Sequence, residues 1–318
     1  MANDERVLNL PELSWPQIEA LDRDHTAFFI VVAPVEQHGR HLPLGTDIFE
    51  VEWWQRATAN ALTERFPNFT FIICPTLPVG TSCIPGLPGN FEVSQRTLRT
   101  LIEEVVGGIA SWGFKHIIVL AGHLAPRHLV AVEEACERVN HRFGEVAISP
   151  VGAFVRDMLR QRRREGFTEP IQRLTTQISD DVHAGWMETS MMLDLRPDLV
   201  DHSYRDAPPT HLTTNDMMSR ERTEAKVAGL GHIGTPSAAT AELGRELNER
   251  SVEWMSGAAE CFLRRRGHER YRHGMFWGVL PLRTDYPRWV AGAAALGVGA
   301  AGAGLGALLR RLKSSSKE

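Results

Sequence analysis

The four cysteines of this chain stand at 74, 83, 136 and 261, and no two have the close spacing of a zinc knuckle. A chain of 318 residues can bury enough core to do without disulfide staples, so a reducing, cytoplasmic compartment is the expectation. Positive charge is not in excess either. The formal net charge is −4, which leaves no electrostatic case for nucleic acid as the main partner. The first six residues lack a basic stretch followed by an apolar one, so no signal peptide is expected. There is no internal repeat, and no clear interdomain linker interrupts residues 1 to about 265. Those residues read as one domain.

The chain does contain a dense cluster of ionisable side chains directly after an apolar run. Phe28 to Val35 is continuously apolar and rich in β-branched residues, the pattern of a central strand covered on both faces. It leads into Glu36-Gln37-His38-Gly39-Arg40-His41-Leu42-Pro43-Leu44-Gly45-Thr46-Asp47. Charged groups at the end of a buried strand are costly unless paired or ligated, which marks this stretch as a candidate site.

The same arrangement recurs. Lys115 to Ala121 reads as a second buried strand that ends in Gly122-His123. Further strands are predicted at Phe69–Cys74 and Glu145–Val151. Helices are predicted from Trp15 to Leu21 with Ser14 as N-cap, at 48–65, 94–112, 128–143 and 187–195, and from Ala238 to about Phe262. Pro78 to Asn90 reads as an irregular rim. Alternating strands and helices imply βαβ units and a mainly parallel sheet. In such sheets ligands bind outside the carboxyl ends of the strands, where both the Glu36–Asp47 stretch and His123 fall.

Glu36 and His38 are two apart, so an extended backbone points both to one face. With Asp47 they form a mixed nitrogen and oxygen set suited to Zn, Mn or Fe, which His123 can complete. Glu188, in Asp181-Val182-His183-Ala184-Gly185-Trp186-Met187-Glu188, can serve a second metal if Asp47 bridges. Two divalent ions then hold a bridging hydroxide and polarise a carbonyl. His183 would carry a proton to the leaving nitrogen, oriented by Asp180 or Asp181. Plainer roles compete: Glu36 can pair with Arg40, and His38 or His41 can cap a turn. Cys74 and Cys83 read as buried or loop thiols, and the arginine-rich run at 156–165 as a solvated face. His25, His141, His202, His268 and His273 read as surface or loop residues.

The stretch Glu36 to Asp47 resembles the signature of the creatininase (creatinine amidohydrolase) family. His183-Ala184-Gly185-x-x-Glu188-Thr189-Ser190 is similar to its second motif, and Gly234-Thr235-Pro236 with Ala239-Thr240-Ala241-x-x-Gly244 to its third. The resemblance implies a three-layer α/β/α fold, a two-metal centre, hydrolysis of a non-peptide C–N bond in a cyclic amide or formamide, and a homo-oligomer, often a hexamer. It also implies Glu36, His38, Asp47 and His123 as ligands, with His183 as the proton carrier. Two stretches depart from the family pattern. After His123 come Leu124-Ala125-Pro126, without the usual amides or a ligating Glu, so the second metal's carboxylate is expected from Glu188. At the rim, Thr81-Ser82-Cys83-Ile84-Pro85-Gly86 replaces a segment that usually carries a substrate-contacting His. Creatinine itself is therefore not the expected substrate. A peptidase-like member, or a catalytically weak metal-binding scaffold tethered to a membrane, is the alternative.

Beyond the domain, residues 266–288 read as a linker with an aromatic cluster. From Trp289 to Leu309, 21 residues carry no charge, a length that can span a bilayer. Six of them are Gly and eight Ala, so the run reads equally as a C-terminal transmembrane helix, a flexible tail or a helix packed in an oligomer. Residues 310–318 form a basic polar tail.

Overall fold

A computed structural model of the chain describes residues 4–161, 168–177, 181–217 and 219–286. Five strands, β1 (Val7–Asn9), β2 (Thr26–Val32), β3 (Thr70–Ile73), β4 (His116–Ala121) and β5 (Ala147–Ile148), form one parallel sheet in the order β1-β3-β2-β4-β5. Strands β2 and β4 come from the two apolar runs. Every residue of both is buried, as strands covered on both faces require.

The helices among the described residues are α1 (Trp15–Glu19), α2 (Thr46–Arg65), α3 (Gln95–Ser111), α4 (Pro126–Phe143), α5 (Val151–Gln161), α6 (Glu169–Gln177), α7 (Trp186–Leu195), α8 (Thr214–Met217), α9 (Arg220–Val227) and α10 (Ala241–Leu263). Helices α3 and α4 pack together, while α2, α7 and α10 form a second group. The two groups cover the two sides of the sheet, giving the expected α/β/α layering. Capping follows the sequence: Ser94 accepts the Thr97 N–H, Thr240 accepts the Leu243 N–H, and Gln17 accepts the Ser14 N–H.

Strand order decides where the site lies. From β2 the chain passes through α2 to β3 on one side. From β4 it passes through α4 to β5 on the other. The connections therefore diverge between β2 and β4, and the crevice at their carboxyl ends is the topological switch point of this sheet.

Several boundaries differ from the expected ones. Strand β2 stops at Val32, since Pro34 has no N–H for a ladder. Ala33 and Val35 instead donate to the carbonyls of Leu77 and Pro78. Strand β5 shrinks to two residues and α5 starts at Val151, directly after Pro150. Strand β1 was not expected, because three residues on a sheet edge leave no readable alternation. His268 is buried rather than on the surface, with its ring edge-on to Phe262.

The described part of the C-terminal stretch is strapped to the domain by charge. Arg272 reaches Glu137 at 2.6 Å and Glu145 at 2.8 Å, Arg283 reaches Glu134 at 2.7 Å, and Asp285 accepts from Arg99 at 2.6 Å. Trp277 is sandwiched between the His273 ring at 3.8 Å and the Arg283 guanidinium at 3.7 Å. No helix among the described residues is long and apolar enough to cross a membrane. The uncharged run at 289–309 and the tail at 310–318 lie outside the described residues.

Candidate metal centre

Five side chains singled out in the sequence meet at this crevice. Glu36, His38 and Asp47 come from the loop after β2 and the first turn of α2. His123 comes from the turn after β4, and Glu188 from the first turn of α7. The β4 turn can come this close because residue 122 has no side chain: a Cβ there would lie 2.9 Å from the Asp47 carbonyl oxygen and 2.5 Å from Ala33 Cβ.

Asp47 faces two ways. Its Oδ1 is 3.1 Å from His38 Nε2, and its Oδ2 is 3.3 Å from His123 Nδ1. His123 Nδ1 also lies 3.1 Å from Glu36 Oε2, and His38 Nε2 lies 3.8 Å from Glu188 Oε2. The ligand atoms of His38, Asp47 and Glu188 all fall within 4.8 Å of one another. Two donor sets thus share Asp47: Glu36, Asp47 and His123 on one side, His38, Asp47 and Glu188 on the other.

The tautomer of His38 sharpens this. Its Nδ1 is 3.0 Å from the Glu36 carbonyl oxygen, which can only accept, so Nδ1 carries the hydrogen. In the neutral ring, Nε2 then presents a lone pair to the oxygens of Asp47 and Glu188. Lone pairs that converge in a buried site repel unless a cation stands among them. A ligating histidine whose other nitrogen donates to a backbone carbonyl is the usual arrangement at metal sites. The Oε2 of Glu36 and the Oδ2 of Asp47 are buried without a hydrogen bond among the described residues. These donors fit divalent cations.

The electrostatics agree. Burial pulls His38 down, but Asp47, Glu188 and Glu36 together hold it well above its ordinary range. Burial opposes His123 in the same way, yet Glu36 and Asp47 raise it to about 9. Burial would raise Asp47, but the two imidazoles hold it well below the usual carboxylate range. Burial pushes Glu188 up to about 7, with His38 opposing and Asp47 adding to the rise. Protons on these imidazoles stand where a metal's charge would.

His183 lies against this set, its ring 4.3 Å from that of His38. Its Nε2 donates to the Gln37 carbonyl at 2.7 Å, so Nδ1 carries the lone pair. Burial and the neighbouring His38 push its pKa well below the ordinary value, which keeps the ring neutral. Main-chain hydrogen bonds with Ile233, the residue just before the third motif, hold its backbone. Ala184 follows at φ +48°, and its N–H reaches Glu188 Oε2 at 2.5 Å. Asp180 lies outside the described residues. Asp181 caps α7, its carboxylate accepting the N–H groups of Trp186 and Met187 at 2.8 and 2.9 Å.

Other expectations resolve differently. Arg40 donates to the Gly229 carbonyl at 2.6 Å, and His41 lies 2.9 Å from the Thr189 hydroxyl. Three contributors went unread. Glu50, one turn beyond Asp47, is buried and pushed well above the carboxylate range by burial, then by Glu188 and Asp47. Its i, i+3 spacing from Asp47 was the available signal. The Ile84 N–H donates to Glu36 Oε1 at 2.6 Å. Cys83 Sγ lies within 4.8 Å of the ligand atoms of Glu36 and His123. The centre opens into a cleft of about 480 Å³ between the rim, the β4 turn and the segment around His183.

The family model for creatininase, described as creatinine amidohydrolase, matches residues 11–259. The creatinine amidohydrolase of Pseudomonas putida is 23% identical over 262 residues, covering 78% of this chain and 94% of that protein. A mycofactocin precursor peptide peptidase from Mycolicibacterium smegmatis is 28% identical over 250 residues, covering 74% of this chain and 85% of that protein. A solved structure described as "Creatininase Mn" superposes with a TM-score of 0.57 at 22% identity, covering 79% of this chain and 96% of that one. The chain belongs to the creatininase family.

Proposed function

We propose that the chain is a metal-dependent amidohydrolase that cleaves a C–N bond at the Asp47-centred site. The observation that carries the reading is the pair of donor sets sharing one carboxylate. Glu36, Asp47 and His123 would hold one divalent ion, and His38, Asp47 and Glu188 a second, drawn from Zn, Mn and Fe. Two such ions, when bound, supply the charge that lowers the pKa of water and polarises an amide carbonyl. His183 supplies the proton transfer. Nε2 is committed to Gln37, so Nδ1 takes a proton from the nucleophile and returns it to the leaving nitrogen. Asp180, the other expected member of this relay, keeps its place in the proposal as an orienting group.

A non-peptide amide, cyclic amide or formamide is the first substrate class, from the family resemblance. Cleft size favours a second reading. About 480 Å³, walled partly by Leu124, Val182 and Leu212, is ample for a peptide segment. The similarity to mycofactocin precursor peptide peptidases supports the same class. A homo-oligomer, hexameric as the resemblance implies, completes the proposal, and light scattering on the purified chain tests it. The main test combines metal analysis with a substrate panel. Metal-replete protein should carry about two ions per chain and hydrolyse at least one of a set of cyclic amides, formamides and short peptides. Less than one ion per chain refutes the enzyme reading.

A further inference from the structure

We infer that Cys83 is a fourth protein ligand to the metal held by Glu36, Asp47 and His123, an inference that rests on the two-metal reading above. Cys83 is 3% exposed and stands on the rim loop. Its Sγ and the ligand atoms of Glu36 and His123 all lie within 4.8 Å of one another, the separation of donors around one ion. The next residue's N–H fixes Glu36 by donating to Oε1 at 2.6 Å, which leaves Oε2 aimed at the site. That oxygen and Asp47 Oδ2 are both fully buried and lack a hydrogen bond among the described residues. Two buried carboxylate oxygens that face one imidazole at 3.1 and 3.3 Å, with a thiol within reach of Glu36 and His123, make a donor set suited to a cation. Asn90 secures the loop, accepting the Gln37 N–H at 2.9 Å and donating to the Ile84 carbonyl at 2.8 Å.

Ligation breaks the S–H bond of Cys83 and forms a sulfur–metal bond, and the proton leaves to solvent. Two consequences follow. A thiolate is a soft ligand, so this position selects zinc over manganese. Four protein ligands also close the site in the manner of a structural ion, whereas the His38, Asp47 and Glu188 set, with three, keeps a position open. Substrate then binds on the Glu188 side.

Cobalt(II) loading of the full chain tests this. The wild type should show visible ligand-field bands together with a near-ultraviolet thiolate-to-cobalt charge-transfer band. Cys83→Ser should keep the ligand-field bands and lose the charge-transfer band, although three other cysteines remain. Zinc affinity at that site should fall about 10- to 100-fold, with manganese affinity little changed. X-ray absorption of the zinc-loaded wild type should show a sulfur scatterer at about 2.3 Å, which does not depend on any variant folding. Bound cobalt without a charge-transfer band, or a band that survives in Cys83→Ser, overturns the thiolate and leaves the metal centre standing. Failure to bind cobalt overturns both.

Discussion

Asp47→Ala is the sharpest test of a shared carboxylate. Its Oδ1 is 3.1 Å from His38 Nε2 and its Oδ2 is 3.3 Å from His123 Nδ1, so one truncation removes an oxygen from each donor set. A cation at a hundred times its dissociation constant stabilises the fold by about 2.7 kcal/mol per site, and two independent sites give about 5 kcal/mol. Urea unfolding in metal-saturated and in chelated buffer reads this increment as a shift in midpoint at constant slope. Truncation also alters the metal-free protein, because Asp47 offsets the charge on His38 and His123. Comparing the two buffers within each variant cancels that effect. The expected increment for Asp47→Ala is below about 0.5 kcal/mol, whereas Glu188→Gln, which touches one set, keeps about 2.7 kcal/mol. An Asp47→Ala chain that retains more than half of the wild-type increment refutes the shared carboxylate.

Three further outcomes are expected. His183→Ala should lower turnover about 10²- to 10⁴-fold while metal content stays unchanged, and loss of metal instead would assign the ring a ligand's role. Gly244→Ala places a Cβ 1.8 Å from the Ser190 carbonyl oxygen, forcing α10 off α7. Overpacking costs about 1–3 kcal/mol and helix propensity returns about 1 kcal/mol, so the unfolding midpoint should fall; a raised midpoint refutes the close packing. Glu133, buried beneath the C-terminal stretch, is pushed by burial from 4.5 up to about 8. The folded chain binds that proton more tightly than the unfolded chain. The resulting stability is whole below pH 4.5 and is lost as pH rises through 8, by at most about 5 kcal/mol. Glu133→Gln should flatten this limb of the stability profile, and an unchanged slope between those pH values would remove Glu133 as its source.

What was legible in the sequence was whatever depends on local pattern. The apolar runs that became β2 and β4 declare buried strands, and a parallel sheet puts functional groups at their carboxyl ends. The convergence of Glu36, Asp47 and His123 followed from that placement. Contacts set by tertiary approach were not legible. Cys83 sits on an irregular loop whose path depends on Asn90 bridging Gln37 and Ile84, three residues with no shared periodicity. Asp180 or Asp181 read as the partner that orients His183; the Asp181 carboxylate serves the first N–H groups of α7, and Asp180 lies outside the described residues. Residues 266–288 read as a linker because ion pairs such as Arg272 with Glu137, in its described part, join positions 135 apart and leave no local pattern.

The missing carboxylate at position 125 has a structural counterpart. Ala125 is the N-cap of α4 and Pro126 its first residue, so that turn starts a helix and offers no oxygen from its side chains. Glu188 reaches the site from α7 instead. Its position depends on the left-handed Ala184 that precedes the helix, on Ser190 Oγ accepting the Thr240 N–H at 3.1 Å, and on Gly244 letting α10 approach. The donor set around Glu36 is fixed by strand ends, whereas the set around Glu188 is fixed by helix packing. Helices shift against one another more readily than adjacent strands slip in register. An ion held by Glu188 would therefore be the one whose affinity answers to changes on α10, far from the reacting bond, and the one most open to tuning by what binds in the cleft.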